Sequence, residues 1–406
     1  MSHQLRSLFD QLQVIAVTGT NGKTSTTSLI GAIIEMSGED IALMTTIQAQ
    51  VSNTIITKST STPKSKPTIF SQVLQLAVEK NVKTLALEVT SKSLSLGFAS
   101  QFPPQVGVFT NLTQDHLLLH KNEQSYFEAK SQLFRNIKKG GFAILNADDT
   151  YYEQLCNIIP KHITILSYSI HKSDASLAAK MIDISYGGTV LKLHPSNIAS
   201  AFNYSLYTPL IGKFQAQNAL AAALATYCIG YSPTAIKNGL ANVRPLKGRF
   251  EVISKNPFVI VDYAHTSDGL QNTLQTAQDL MLETSKLLCV FGCGGDRDRE
   301  KRSSMGKIAA QYADFVCLTN DNPRYESPQQ IIEDILRDIK TPKGTWIRIF
   351  NRKKAIEFTY QQAKKDDILI IAGKGHETTQ EIRGKHEPFS DHEIVWEMIK
   401  KNNTRL

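Results

Sequence analysis

The chain has no run of apolar residues long enough to cross a bilayer, few cysteines and no block of like charge. Its longest apolar stretches, such as Ile368 to Ala372 and Leu287 to Phe291, are strand-length, whereas a membrane helix needs about 20 such residues. No membrane role is therefore expected. Met1 to Asp10 also lacks the apolar core of a secretory signal, so the expected compartment is the cytoplasm. Five cysteines, at 156, 228, 289, 293 and 317, show no CxxC spacing and include an odd member. That argues against both a disulfide framework and a zinc ribbon. Lys and Arg number 45 against 37 Asp and Glu, a net charge of +8, but the surplus comes in short pairs such as Lys138-Lys139, Lys353-Lys354 and Lys364-Lys365. Such pairs are ordinarily solvated helix faces, and no aromatic-interleaved basic tract suggests nucleic acid, so the charge fits a cleft for anionic small molecules as well. Repeats and low-complexity segments are absent as well.

What is present is a globular composition, 41% hydrophobic and 20% charged over 406 residues. Single cores stop growing at roughly 250–300 residues, so more than one domain is expected. Short β-branched or aliphatic runs alternate with amphipathic helix-length stretches, the pattern of a parallel sheet covered by helices. Val14 to Val17, Thr84 to Glu88, Val106 to Phe109 and Phe142 to Leu145 read as buried strands, with helices after Lys23, Thr68 and Glu123. The rhythm recurs in Phe258 to Val261, Leu287 to Phe291, Phe315 to Leu318 and Ile368 to Ile371, with helices near Ser267, Arg302, Ser327 and Arg352. Between the two series, Ser167 to Leu206 reads as an antiparallel addition and Gln217 to Tyr227 as an Ala-rich helix. A boundary near Pro245 to Arg249 divides the chain into 1–246 and 247–406.

Val14 to Thr24 joins a hydrophobic strand, a glycine turn and a helix that opens on Lys23-Thr24. Gly19 and Gly22 permit a turn whose amides, with Thr20 and Asn21 between them, converge on phosphate oxygens. The helix N-terminus adds partial positive charge, Lys23 a point charge and Thr24 a hydroxyl for magnesium. Val17 stands where the full GxxxxGK[ST] spacing has its first glycine, so an ordinary strand-turn-helix is the alternative reading.

Glu88 ends one strand, and the next leads into Thr110-Asn111-Leu112-Thr113-Gln114-Asp115-His116. Carboxyl ends of parallel strands line the ligand crevice of an open sheet, which sets Glu88, Asn111, Asp115 and His116 beside the phosphates. Lys130 shares a helix face with Tyr126 and Phe134 four residues to either side, an apolar setting that a lysine needs a reason to occupy.

With these motifs stand Asn218-Ala219-Leu220, Gly248-Arg249-Phe250-Glu251, Asp262-Tyr263-Ala264-His265-Thr266, Gly292 to Asp298, Asp321-Asn322-Pro323-Arg324 and Gly373-Lys374-Gly375-His376-Glu377. In this order they resemble the Mur ligases, and within that family the branch that adds a diamino acid to UDP-N-acetylmuramoyl dipeptide. The resemblance implies an α/β chain. A central P-loop parallel-sheet domain would bind ATP, and a smaller Rossmann-like C-terminal domain would bind the amino acid. It implies an ADP-forming acid–amino acid ligase: ATP phosphorylates a carboxylate, and an amine attacks the acyl phosphate. Lys23 and the loop amides would hold phosphates, Thr24 and Glu88 magnesium, and His116 a second magnesium positioned by a carbamylated Lys130. The plain salt bridge of an unmodified Lys130 is the alternative. Asn111, Asn218, Arg249, Asp262, Tyr263 and His265 would face the nucleotide, with Arg249 and His265 equally readable as hinge or structural residues. Arg297, Asn322, Arg324, Gly373 and Glu377 match positions that grip the free end of meso-diaminopimelate, where an Arg fork suits the distal carboxylate and a Glu the distal ammonium.

Three departures fall on the acceptor side. Only 18 residues precede Gly19, fewer than the small UDP-binding domain of the family needs, although Gln4 to Gln13 can form a helix. Thr60-Ser61-Thr62-Pro63 stands for Asn-Thr-Thr-Pro, and Lys92 for a histidine. A carboxylate acceptor without UDP is thus expected first, the orthodox UDP-linked dipeptide second, its uridine end either unsupported or held by a protein partner that replaces the missing domain, and a non-catalytic nucleotide-binding subunit third.

Overall fold

The computed structural model describes residues 2–57, 67–113, 122–340 and 342–403. The chain divides into two compact units, Met1–Arg244 and Pro245–Leu406.

The first unit is built on one mixed sheet. Its strands are β1 (Gln13–Thr18), β2 (Ile41–Met44), β3 (Ala49–Val51), β4 (Thr54–Thr57), β5 (Thr84–Glu88) and β6 (Val106–Phe109). They continue with β7 (Phe142–Asn146), β8 (Thr164–Ser169), β9 (Leu177–Ser185), β10 (Gly188–Leu193) and β11 (Ser205–Thr208). The order across the sheet is β11-β10-β9-β8-β7-β6-β1-β5-β2-β3-β4. From β2 to β9 neighbouring strands run parallel, while β3, β4, β10 and β11 pair antiparallel at the two edges. The central strands are short, continuous apolar runs buried on both faces, as a helix-covered parallel sheet requires.

The covering helices are α1 (Ser2–Asp10), α2 (Lys23–Met36), α3 (Pro67–Glu79), α4 (Ser91–Ser95), α5 (Phe98–Gln101) and α6 (Glu123–Arg135). After them come α7 (Tyr152–Ile158), α8 (Asn197–Ala201), α9 (Lys213–Tyr227) and α10 (Pro233–Ala241). The first helix stops three residues before the expected Gln13, because Gln13 already pairs with Thr84 as the first residue of β1. Its Phe9 ring meets Phe70 and Phe102 at centroid distances of 6.4 and 5.2 Å, which ties α1 to α3 and the end of α5. Helix α9 begins at Lys213 rather than Gln217, and is buried almost all round because its alanines let it pack closely between α2 and the sheet.

Register decides what meets at the site. Val17 lies beside Glu88, and Thr18 beside Phe109. The carboxyl ends of β1, β5 and β6 therefore open together, with β1 between its two neighbours.

The second unit carries β12 (Glu251–Lys255), β13 (Phe258–Asp262), β14 (Leu287–Phe291), β15 (Phe315–Leu318), β16 (Thr345–Arg348) and β17 (Ile368–Ala372). Their order is β12-β13-β17-β14-β15-β16, parallel except for the edge strand β12. A separate hairpin pairs β18 (Thr379–Ile382) with β19 (Lys385–Pro388). The helices are α11 (Ser267–Leu280), α12 (Glu300–Tyr312), α13 (Pro328–Leu336), α14 (Arg352–Gln362) and α15 (Asp391–Asn403). One face of the sheet forms a core with α14 and α15, through Val259, Val290, Leu369, Ile371, Ile356 and Val395. Inside it Arg352, wholly buried, forks onto both oxygens of the equally buried Asp391 at 2.8 and 2.7 Å and reaches the Ala372 carbonyl at 2.9 Å. Both tryptophans of the chain lie here, Trp346 on β16 and the half-exposed Trp396 on α15. Among the described residues no helix is long and apolar enough to cross a membrane.

Candidate functional site

In the first unit, the loop from Gly19 to Gly22 leaves β1 and enters α2 with Gly22 as its N-cap. Gly22 sits in the left-handed region at φ 83° and, having no side chain, gives the helix no side-chain cap of its own. Both glycines are obligatory: a Cβ on Gly19 would run into Thr110 Oγ1, and one on Gly22 would come within 2.5 Å of Asn218 Oδ1. Asn111 holds the loop in shape by accepting from the Asn21 amide at 2.8 Å and donating to its carbonyl at 3.3 Å. Asn218 accepts from Thr26 Oγ1 at 3.1 Å and donates to Gln215 at 3.0 Å. The side chains of both asparagines are thus engaged with protein.

Lys23 curls back over the loop, its Nζ donating to the carbonyls of Gly19 (3.0 Å) and Thr20 (2.8 Å). Glu88, buried at the end of β5, accepts from Thr24 Oγ1 at 2.8 Å and from the Thr46 amide at 3.1 Å, both on Oε2. Thr46 follows β2, one strand beyond β5; its position after a buried aliphatic run was the available signal for it. Helix α6 is started by a reciprocal Asn122–Ser125 capping box. It turns Tyr126 and Lys130 onto the loop, where Tyr126 OH lies 3.2 Å from Thr20 Oγ1. Lys130, 1% exposed, donates to the Gly19 carbonyl at 2.7 Å and sits 4.4 Å from the Tyr126 ring centroid. Lys92 is exposed on α4. Ser61, Thr62, Asp115 and His116 lie outside the described residues.

No group of three or more His, Cys, Asp or Glu arranged to hold a metal occurs among the described residues. Magnesium in phosphate loops needs less from protein, one or two ligands plus phosphates and water, and the Thr24–Glu88 pair is of that kind.

In the second unit, the loops after β14, β15 and β17 gather a polar cluster. Asn322 donates from Nδ2 to Glu377 Oε2 at 2.9 Å. The fully buried Lys374 donates to Asn322 Oδ1 at 3.0 Å and to the same Glu377 oxygen at 2.7 Å. Arg324, at a left-handed φ of 52°, donates from Nε to Glu381 at 2.8 Å and from Nη1 to the Gly295 carbonyl at 2.7 Å. Gly373 takes φ 115° and approaches Asp321, where a Cβ would lie 2.7 Å from Oδ2. Arg297 is exposed and donates to the Asp296 carbonyl at 3.2 Å. The structure thus brings Asn322, Arg324, Gly373 and Glu377 together and leaves Arg297 at the rim. Reading the sequence alone missed the parts played by Lys374 and Glu381, since nothing in a local motif shows which buried partner a lysine meets.

A second group surrounds Tyr263. The Arg249 guanidinium lies 4.5 Å from its ring centroid, and the His265 and His376 rings at 4.5 and 4.9 Å. His265 Nδ1 is 2.9 Å from the Tyr263 carbonyl. Burial pushes the His376 imidazole down to about 3, helped by Arg249, Lys247 and His265, so it is neutral at pH 7. Asp262 accepts from the amides of Phe250 and Ala264 and from Thr273; burial raises its pKa against those bonds and Arg249. Its carboxylate organises the turn between β13 and α11.

Residues 17–226 match the family described as Mur ligase middle domain, and residues 248–375 the Mur ligase glutamate ligase domain. The chain is 40% identical over 395 residues to the UDP-N-acetylmuramoyl-L-alanyl-D-glutamate--2,6-diaminopimelate ligase of Syntrophomonas wolfei, covering 96% of this chain and 78% of that protein. It is 39% identical to the protein of the same name from Bacillus velezensis, over 97% of this chain and 80% of that one. A solved structure of a ligase so named superposes with a TM-score of 0.67 at 33% identity, covering 98% of this chain and 82% of that one. Folylpolyglutamate synthase of Mycobacterium tuberculosis shares the fold, with a TM-score of 0.70 at 18% identity over 91% and 90% of the two chains.

Proposed function

The chain belongs to the Mur ligase family of ATP-dependent ligases, and from that premise we propose that it joins meso-diaminopimelate to the D-glutamate carboxylate of UDP-N-acetylmuramoyl-L-alanyl-D-glutamate. The likeness to relatives named for that reaction favours the UDP-linked dipeptide over the free acceptor expected first from the sequence, and over a non-catalytic subunit. The choice of amine is carried by one observation: Arg324 and Glu377 flank Asn322 in the second unit. A diamino diacid offers one distal carboxylate and one distal ammonium to such a pair, and lysine offers no carboxylate.

The first unit suits MgATP. Its glycine loop leaves no room for a side chain, α2 starts directly from that loop, and Lys23 lies folded on it within reach of phosphate. Thr24 and Glu88 would hold magnesium, with His116 serving a second ion. When bound, the metal neutralises phosphate charge and lets a carboxylate approach the γ-phosphoryl group. The acceptor carboxylate takes that group, giving ADP and an acyl phosphate, and the amine then displaces phosphate from the acyl carbon to form the amide. Lys130 would work as a carbamate, formed when its neutral amine adds carbon dioxide and loses a proton.

Incubation with MgATP, the UDP-linked dipeptide and meso-diaminopimelate should release ADP and yield a product heavier by one diaminopimelate less water, read by mass spectrometry. ADP release that is indifferent to diaminopimelate, or as fast with L-lysine, would overturn the amine assignment. Product formed equally well from a dipeptide lacking UDP would overturn the acceptor.

A further inference from the structure

The buried ammonium of Lys374 faces the carboxylate and the amide that, on the proposed reading, meet the far end of the incoming amino acid. Its loop leaves little freedom. Gly373 and Gly375 both take positive φ, at 115° and 49°, and a Cβ on Gly375 would lie 2.7 Å from the Cβ of Tyr263. Lys374 itself is 0% exposed, and Phe389 covers it with a ring centroid 5.9 Å from Nζ.

Its donors act on two neighbours at once. Asn322 Oδ1 accepts from Lys374 Nζ at 3.0 Å and from the Glu381 amide at 2.9 Å. The opposite flip of that amide would aim NH2 at a cation and at an N–H, so the orientation follows from the network. Asn322 Nδ2 is thereby turned to Glu377. Lys374 and Asn322 both end on Glu377 Oε2, at 2.7 and 2.9 Å. Among the described residues no hydrogen bond reaches Oε1, and the Glu377 side chain keeps 30% of its exposure.

We propose that Lys374 is a positioning residue for amino-acid selection: it holds one oxygen of Glu377 and fixes the Asn322 amide, so that Glu377 Oε1 alone is presented to the distal ammonium of the substrate. This rests on the reading of the second-unit cluster as the diaminopimelate site. A charged hydrogen bond is also formed without substrate, so the carboxylate is already oriented when the amine arrives.

The test uses the full chain. Lys374→Met removes the charge with little change in length, and Lys374→Gln keeps one donor should the first variant fail to fold. In either, KM for meso-diaminopimelate should rise about tenfold or more, with KM for ATP unchanged. A purely structural role would instead lower kcat and thermal stability without separating the two KM values. In a Glu377→Gln background the Lys374→Met effect on KM should largely vanish, because the lysine acts through that carboxylate. An unchanged KM for diaminopimelate in the folded variant, or full additivity with Glu377→Gln, would overturn the proposal. Wild-type turnover that ignores diaminopimelate would instead overturn the reading beneath it.

Discussion

Thr24 and Glu88 show how little a residue reveals of its partner. Both were legible as site candidates from their places after a glycine turn and at a strand end. Their 2.8 Å bond depends on a register that sets β5 beside β1, across 64 residues of chain. Thr24→Val removes a donor from a buried carboxylate and should cost roughly 1.5–3 kcal/mol of stability by urea titration, with a larger loss in kcat/KM for MgATP. Retention of full kcat/KM would remove Thr24 from the metal site. Lys130 was legible as an anomaly, a lysine on an apolar face, and its amine reaches the Gly19 carbonyl. Lys130→Ala should abolish turnover, with partial return on adding short carboxylates; full activity without them would refute the carbamate. His376 carries a pH dependence. Its folded pKa, about 3, lies below the unfolded value near 6.5, so the unfolded chain binds the extra proton between those limits. Stability should therefore fall as pH drops through 6.5 toward 3, by at most about 1.4 kcal/mol per pH unit from this group. His376→Phe should flatten the urea midpoints over that range, and a curve as steep as wild type would contradict the assignment.

Elements were legible where burial on both faces wrote continuous apolar runs: β5, β6, β14 and β15 begin and end where the sequence places them. The edges were not. β3, β4 and the β18–β19 hairpin are three or four residues long, and Lys385–Pro388 is exposed throughout, so neither period nor composition marks them. The turn between β1 and α2 gives a graded test. Gly19→Ala should weaken nucleotide binding sharply, because the new methyl displaces Thr110 and the Asn111 backbone. Gly38→Ala, left-handed at φ 85° but with nothing within 4 Å, should cost only backbone strain and leave ATP affinity alone, as calorimetry would show. Helices α14 and α15 are joined by Arg352 and Asp391, a pair separated by 39 residues that no motif announces. Asp391→Asn leaves a wholly buried guanidinium without its counter-charge and should destabilise the second unit by roughly 3–5 kcal/mol.

At the scale of the molecule, two rhythms of strand and helix were readable and correspond to two sheets with separate cores. The chemistry proposed for the chain is not written in either rhythm; its candidate residues lie on loops at strand ends, where single residues decide. The placement of both tryptophans in the second unit has a practical consequence. Intrinsic indole fluorescence has both its reporters in the second unit, whereas far-ultraviolet circular dichroism sums the whole chain. Asp391→Asn should therefore move the fluorescence transition to lower urea while part of the dichroism amplitude keeps its original midpoint. If both signals moved together, the two cores would be one cooperative system, and the protein would carry an optical probe of the whole rather than of its half.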